Sequence, residues 1–299
     1  MESCWYELTK PSAIHLFDHS SFVTQLSMNR RPQVARSGIP SVMHKWLVPV
    51  SFIFIPFLCV SQPHVNAHAH NDYQHARPLF DALENGFVSV EADVHLVNGK
   101  LLVAHDNPSS STQTLEDLYI KPLDSIAKLN GGRIYPQKEI TVSLMVDVKT
   151  DSEKTFRALF DLLSKYKGSI NRRDHKGSFQ VFISGNRAID LIRNDPHHLA
   201  SIDGRPEDLG KGFNAEEMPV ISEDYKKIIN WNGTGALSKR DWNKLTELAS
   251  RVHAENKKLR LWAIPDNENA WNVLLDAGVD LINTDRLKEL NSFLTTKKL

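Results

Sequence analysis

From Val65 onward the chain alternates short apolar runs with stretches whose apolar residues recur at helical spacing, a pattern that predicts a parallel sheet with helices packed outside it. Val88, Val90, Ala92 and Val94 alternate with Phe87, Ser89, Glu91, Asp93 and His95, so a strand over 87–94 carries Glu91 and Asp93 on one face. Ahead of it, Arg77 to Asn85 reads as a short helix closed by Gly86. Leu101 to Ala104 reads as a third strand and Thr141 to Val148 as a fourth. Asp151 or Ser152 then caps a helix whose Phe156, Leu159, Phe160, Leu163 and Tyr166 form one stripe, and Phe179 to Ser184 is a fifth strand. The stretch 186–231 is broken by Arg205-Pro206, Gly210, Gly212 and Met218-Pro219, and only Ser201 to Gly204 stands out there, as a sixth strand. Ser238 to Asp241 resembles a capping box and opens a helix with Trp242, Leu245, Leu248, Ala249 and Val252 buried. Leu259 to Ile264 and Leu281 to Asn283 complete the set. Eight strands with helices between them predict an α/β fold, a TIM-type (β/α)8 barrel, for which about 250 residues suffice.

Residues 1–42 lack sustained periodicity and carry Pro, Ser, Arg and Asn breakers, so they read as a disordered or misassigned extension, with Met43 a second candidate start. Residues 43–61 read as a signal peptide. His44 and Lys45 precede the apolar run Trp46 to Val60, small residues follow, and a cut falls ahead of Gln62. The expectation is export, periplasmic or secreted, with membrane anchoring by the same segment as the alternative; the run is shorter than a spanning helix and contains Pro49 and Pro56. The barrel is then residues 62–299. Both cysteines, Cys4 and Cys59, precede it, which excludes a disulfide framework or thiolate metal site inside it. With 36 basic and 36 acidic side chains, bulk charge draws the protein to no nucleic acid.

The chemistry gathers between Ala67 and Asp106. Glu91 and Asp93 side by side repel, and a hard divalent cation such as Mg²⁺ or Ca²⁺ would offset that repulsion. On this reading, removing either carboxylate leaves the metal-free fold as stable as before or more so. His70 and His105 flank the pair, each at the end of an apolar run, which suits acid/base work on a phosphoryl group. His70, Glu91, Asp93, His105, Asp147, Lys149, Trp262 and Asp285 all fall at or just past predicted strand ends, where such barrels keep their functional groups. His68 lies two before His70 and competes with it; His64, His75 and His95 read as surface or supporting histidines. Lys149 reads as a counter-ion or a phosphate ligand, Trp262 as core or pocket wall, and Asp285 as a helix cap or a ligand.

His70-Asn71, Glu91-x-Asp93, His105-Asp106 and Leu144-Met-Val-Asp147-Val-Lys149 resemble the phospholipase-C-like phosphodiesterase superfamily, which includes glycerophosphodiester phosphodiesterases, phosphoinositide-specific phospholipase C and venom sphingomyelinase D. Trp262 to Asn267 and Gly278 to Asp285 are similar to the closing strands of the glycerophosphodiesterase barrel, so the resemblance spans roughly residues 65–290. Asp147 departs from the Glu usual in glycerophosphodiesterases and resembles the Asp-x-Lys of sphingomyelinase D. The resemblance implies a metal-dependent phosphodiester hydrolase, with Glu91, Asp93 and Asp147 holding one Mg²⁺ or Ca²⁺. It implies His70 (His68 the alternative) as base, His105 as acid, and Lys149, Asn71 and Trp262 on the substrate. It further implies a small-molecule or lipid phosphodiester as partner, a monomer, and attack by a substrate hydroxyl through a cyclic phosphate, while peripheral membrane contact stays open. His68-x-His70 also resembles the opening of amidohydrolase barrels, but those need histidines where this chain has Ser184-Gly185 and Asp203-Gly204. A non-catalytic barrel used for binding is the remaining alternative.

Overall fold

The computed structural model describes residues 61–109 and 112–297. The readings of residues 1–60 as an extension and signal segment, with Cys4 and Cys59, lie outside the described residues. Strand β1 (His64–Ala69) leads through a 3-10 turn to α1 (Phe80–Glu84), which Gly86 closes at φ +80° before β2 (Phe87–Val97). A methyl group at Gly86 would overlap the Gln62 carbonyl, so only glycine fits there. The chain continues through β3 (Lys100–Val103), a π-turn (Glu116–Ile120), α2 (Lys121–Leu129), β4 (Val142–Val148), α3 (Ser152–Ser164), β5 (Phe179–Gly185), α4 (Ile189–Arg193), β6 (Ser201–Gly204) and β7 (Val220–Asp224). It ends with α5 (Tyr225–Ile228), α6 (Lys239–His253), β8 (Lys258–Trp262), α7 (Glu268–Asp276), β9 (Leu281–Thr284) and α8 (Leu287–Lys297).

Pairing runs β1-β2-β4-β5-β6-β7-β8-β9 and back to β1, all parallel, so eight strands close a (β/α)8 barrel. The expected count of eight holds, but its members differ in two places. Leu101 to Val103 lies in β3, an antiparallel arm on β2 outside the ring. Asn98 (φ +49°) and Gly99 (φ +76°) make a two-residue hairpin, and no parallel crossover is that short. The missing barrel strand is β7, hidden behind the Met218-Pro219 break.

Met145, Phe182, Val220 and Leu281, from β4, β5, β7 and β9, form a buried core cluster. Two residues further along the same faces stand Asp147, Ser184, Ser222 and Asn283. The barrel interior therefore changes from apolar to polar toward the C-terminal strand ends. Polar groups gather there because the strand ends open to solvent and loops, while the middle is closed on every side.

Candidate active site

Glu91 and Asp93 project into the barrel from β2, and Asp147 does so from the neighbouring β4, where it pairs in register with Asp93. One carboxylate oxygen from each of the three lies within 4.8 Å of the others. Asp93 Oδ1 and Asp147 Oδ1 are buried and have no hydrogen-bond partner. Such orphaned acceptors are costly, and their oxygen-only chemistry fits a hard divalent cation. Gly185, at φ +65°, leaves the room: a methyl group there would overlap Asp147 Oδ1. The residues present thus fit a metal ion, whose identity the donor set leaves between Mg²⁺ and Ca²⁺.

Lys149, just past β4, sets its Nζ 3.2 Å from Asp93 Oδ2 and 3.0 Å from Asp147 Oδ2. Burial works against its charge, but the two aspartates outweigh that and raise its pKa. Burial foremost, then Asp147 and Glu91, raises the Asp93 pKa despite Lys149. Glu91 behaves differently. Burial opposes its charge too, yet Arg260 and His68 hold its carboxyl far below the usual range. Arg260 Nη2 is 2.5 Å and His68 Nε2 3.1 Å from the same Oε2. The mutual repulsion expected of the two carboxylates is therefore largely cancelled at Glu91 and survives at Asp93.

The two N-terminal histidines part company. His68 is fully buried on β1, and burial, with Arg260, lowers its pKa to about 4, so it is neutral at pH 7. Because the carboxylate of Glu91 only accepts, Nε2 carries the proton and Nδ1 accepts from Ser89 Oγ at 2.7 Å. Both nitrogens are committed. His70 lies one step past the strand with its side chain 32 % exposed, and its Nδ1 is 2.8 Å from Asp285 Oδ1. Burial lowers its pKa, but the Asp285 hydrogen bond and the charges of Glu91 and Asp285 raise it above the ordinary value. His105 follows the β3 arm, exposed, with Nδ1 3.0 Å from Asp106 Oδ1. The Ala104 amide donates to the Asp93 carbonyl at 3.1 Å, which brings His105 to the same end of β2 as the carboxylates.

Asn71 is left-handed (φ 44°, ψ 42°), a conformation Asn tolerates, and the hydroxyl of Tyr73 lies 2.9 Å from its Oδ1 and 3.0 Å from Asp93 Oδ2. Tyr73 escaped the sequence reading because nothing in its spacing ties a turn residue to a strand twenty positions on. Burial and Asp93 push its phenol well up, so it stays a donor. Trp262, 36 % exposed, closes β8 beside the mouth. Asp266 accepts from Trp271 Nε1, Thr284 Oγ1 and the Asp285 amide, and so fixes the loop bearing Asp285. His64 is half-buried against Asn291, His75 is half-buried, and His95 is buried with Nε2 lacking a partner, a supporting rather than a surface position. An open cavity of about 570 Å³ borders Lys149 and is lined also by Thr150, Asn186 and Arg187. Another, of about 540 Å³ and lined by Arg172, Arg193 and Gln180, opens at the opposite ends of the strands, away from this chemistry.

The structure is thus a (β/α)8 barrel with a carboxylate cluster and two histidines at its C-terminal mouth. Residues 60–198 match the family described as AIM6-like phosphodiesterase domain, and residues 258–288 match the glycerophosphoryl diester phosphodiesterase family. These two matches make the chain similar to phosphodiesterases of the phospholipase-C-like superfamily. Among its relatives, "Altered inheritance of mitochondria protein 6" of Eremothecium gossypii is 28% identical over 266 residues, covering 76% of this chain and 68% of that protein. A homolog of that protein in Arthroderma benhamiae is 25% identical over 255 residues, covering 74% of this chain and 81% of its own. A crystal structure of a glycerophosphodiester phosphodiesterase from Parabacteroides distasonis shares the fold, with a TM-score of 0.52 at 16% identity over 80% of this chain and 100% of that one.

Proposed function

We propose that the protein is a metal-dependent phosphodiester hydrolase of the glycerophosphodiesterase and phospholipase C type. The observation that carries this reading is the pair of buried, unpartnered oxygens of Asp93 and Asp147 beside the solvent-reaching His70–Asp285 pair. Glu91, Asp93 and Asp147 would hold one Mg²⁺ or Ca²⁺, which supplies charge stabilisation to a non-bridging phosphate oxygen. His70 takes the base role, since Asp285 orients it and both nitrogens of His68 are already engaged. It accepts the proton of a neighbouring substrate hydroxyl or of water. His105, exposed on the β3 arm, donates a proton to the departing alkoxide. Lys149 balances phosphate charge, and Asn71 and Trp262 border the bound substrate.

Strands β5 and β6 end in Ser184-Gly185 and Asp203-Gly204, and Asp203 accepts from Ser184, Ser222 and Arg205, which gives no histidine ligands of the amidohydrolase kind. The substrate is a small or lipid phosphodiester, and the protein acts as an exported monomer. The test is hydrolysis of glycerophosphodiesters, phosphoinositides and choline lysophospholipids with Mg²⁺ or Ca²⁺. Turnover of at least one class, lost on chelation, is expected. No turnover of any class by metal-supplemented protein would leave the non-catalytic barrel as the better reading.

A further inference from the structure

A buried polar layer crosses the barrel below the carboxylate cluster. Arg260, 3 % exposed on β8, reaches across β9 and β1 to Glu91 on β2, with Nη2 at 2.5 Å from Oε2, and its Nε donates to Asn283 Oδ1 at 2.9 Å. On the other side, His68, itself held by Ser89, donates to the same carboxylate oxygen. An arginine at such a site never gives up its charge. Any cation that binds Glu91, Asp93 and Asp147 must therefore share Glu91 with a resident positive group.

We infer that Arg260 is a positioning residue that acts as an internal counter-charge. It fixes Glu91 in the metal-free protein and sets how tightly the cluster holds a divalent ion. The inference rests on the reading of the three carboxylates as a cation site and goes beyond it. Lys149 faces the cluster from the open side and balances Asp93 and Asp147; Arg260 balances Glu91 from inside. The three acidic side chains thus meet two basic ones before any ion arrives. Such a layer would let the cluster of carboxylates fold before an ion binds. The cost is competition: the charge that stabilises Glu91 repels an incoming ion, through a buried region where such effects are screened little.

Calorimetric binding of Mg²⁺ alone and of Ca²⁺ alone, with melting temperatures in the presence of chelator, tests this on four proteins. Wild type should bind. Arg260→Gln should melt at lower temperature without metal yet bind the ion about tenfold or more tightly, because the competing charge is gone. Glu91→Gln, which leaves Arg260 uncompensated, should abolish binding. The double variant Glu91→Gln/Arg260→Gln, free of any lone buried charge, should fold even if Arg260→Gln does not, and should recover binding to within about tenfold of wild type. An Arg260→Gln affinity equal to or weaker than wild type overturns the inference. So does a folded double variant as unable to bind as Glu91→Gln, since a merely structural pair would restore stability and not affinity. Failure of wild type itself to bind either ion would instead remove the cation site, a distinguishable result.

Discussion

Glu91 and Asp93 stand two residues apart on one strand face and yet live in opposite electrostatic surroundings. Arg260 and His68 hold Glu91 charged, whereas burial with Asp147 and Glu91 nearby raises the pKa of Asp93. Their removal should therefore act in opposite directions on the metal-free protein. Glu91→Gln leaves a buried arginine unpaired and should cost roughly 3 to 5 kcal/mol. Asp93→Asn should be level or slightly stabilising at neutral pH, because the folded state already disfavours that charge. Chemical denaturation under chelator measures both; equal losses would mean the two carboxylates share one environment after all. The histidines are separated by leaving group. His105→Ala should slow an alkoxide-leaving substrate by about 100-fold or more and a p-nitrophenyl ester far less, since p-nitrophenolate departs without a proton. His70→Ala should slow both alike. Comparable losses on both substrates for His105→Ala would take it out of the acid role.

The segment joining β1 to α1 is pinned by one side chain. Asp72 is fully buried, and its Oδ2 accepts from the Leu79 amide at 2.5 Å and from the Tyr119 hydroxyl at 2.9 Å. Burial raises its pKa to about 7, more than those two hydrogen bonds lower it. The folded state thus holds a proton that the unfolded chain releases near the ordinary carboxylate value. Stability from this group is present at about pH 4 and is lost as pH rises toward 7, by on the order of 4 kcal/mol. Asp72→Asn should flatten the melting-temperature profile across that window, while keeping an acceptor for Leu79 and Tyr119. A profile as steep as wild type would assign the slope to other groups.

At the scale of the whole molecule, the ring closes between β1 and β9 with residues that all follow position 60. Ser61 Oγ accepts from Asn291 Nδ2 at 3.1 Å, and the Gln62 carbonyl packs on Gly86, so the barrel is tied in from Ser61 onward. Deleting residues 1–60 is expected to leave the melting temperature of the barrel unchanged, measured by calorimetry on the two lengths of chain; a drop of several degrees would show that the leading segment packs on it. Among the described residues, no helix is long and apolar enough to cross a membrane.

Local periodicity determined the α/β class and seven of the eight barrel strands, and it placed the catalytic candidates at strand ends, because strand alternation and helical stripes are encoded within a few residues of one another; the eighth strand, β7, it missed, and the β3 arm was counted in its place. Glu91, Asp93, Asp147 and His70 were legible for the same reason: each sits at the end of an apolar run. The hairpin role of β3 was also written locally, in Asn98-Gly99, and was outweighed by its apolar content. Only tertiary closure decided the rest. Arg260 meets Glu91 across 169 positions of sequence, Asp285 meets His70 across 215, and Tyr73 meets Asp93 through a left-handed turn. Such pairings depend on how the ring closes, a long-range property that no window of residues contains. That closure, rather than the motif, separates two histidines two residues apart into one locked in the interior and one facing solvent.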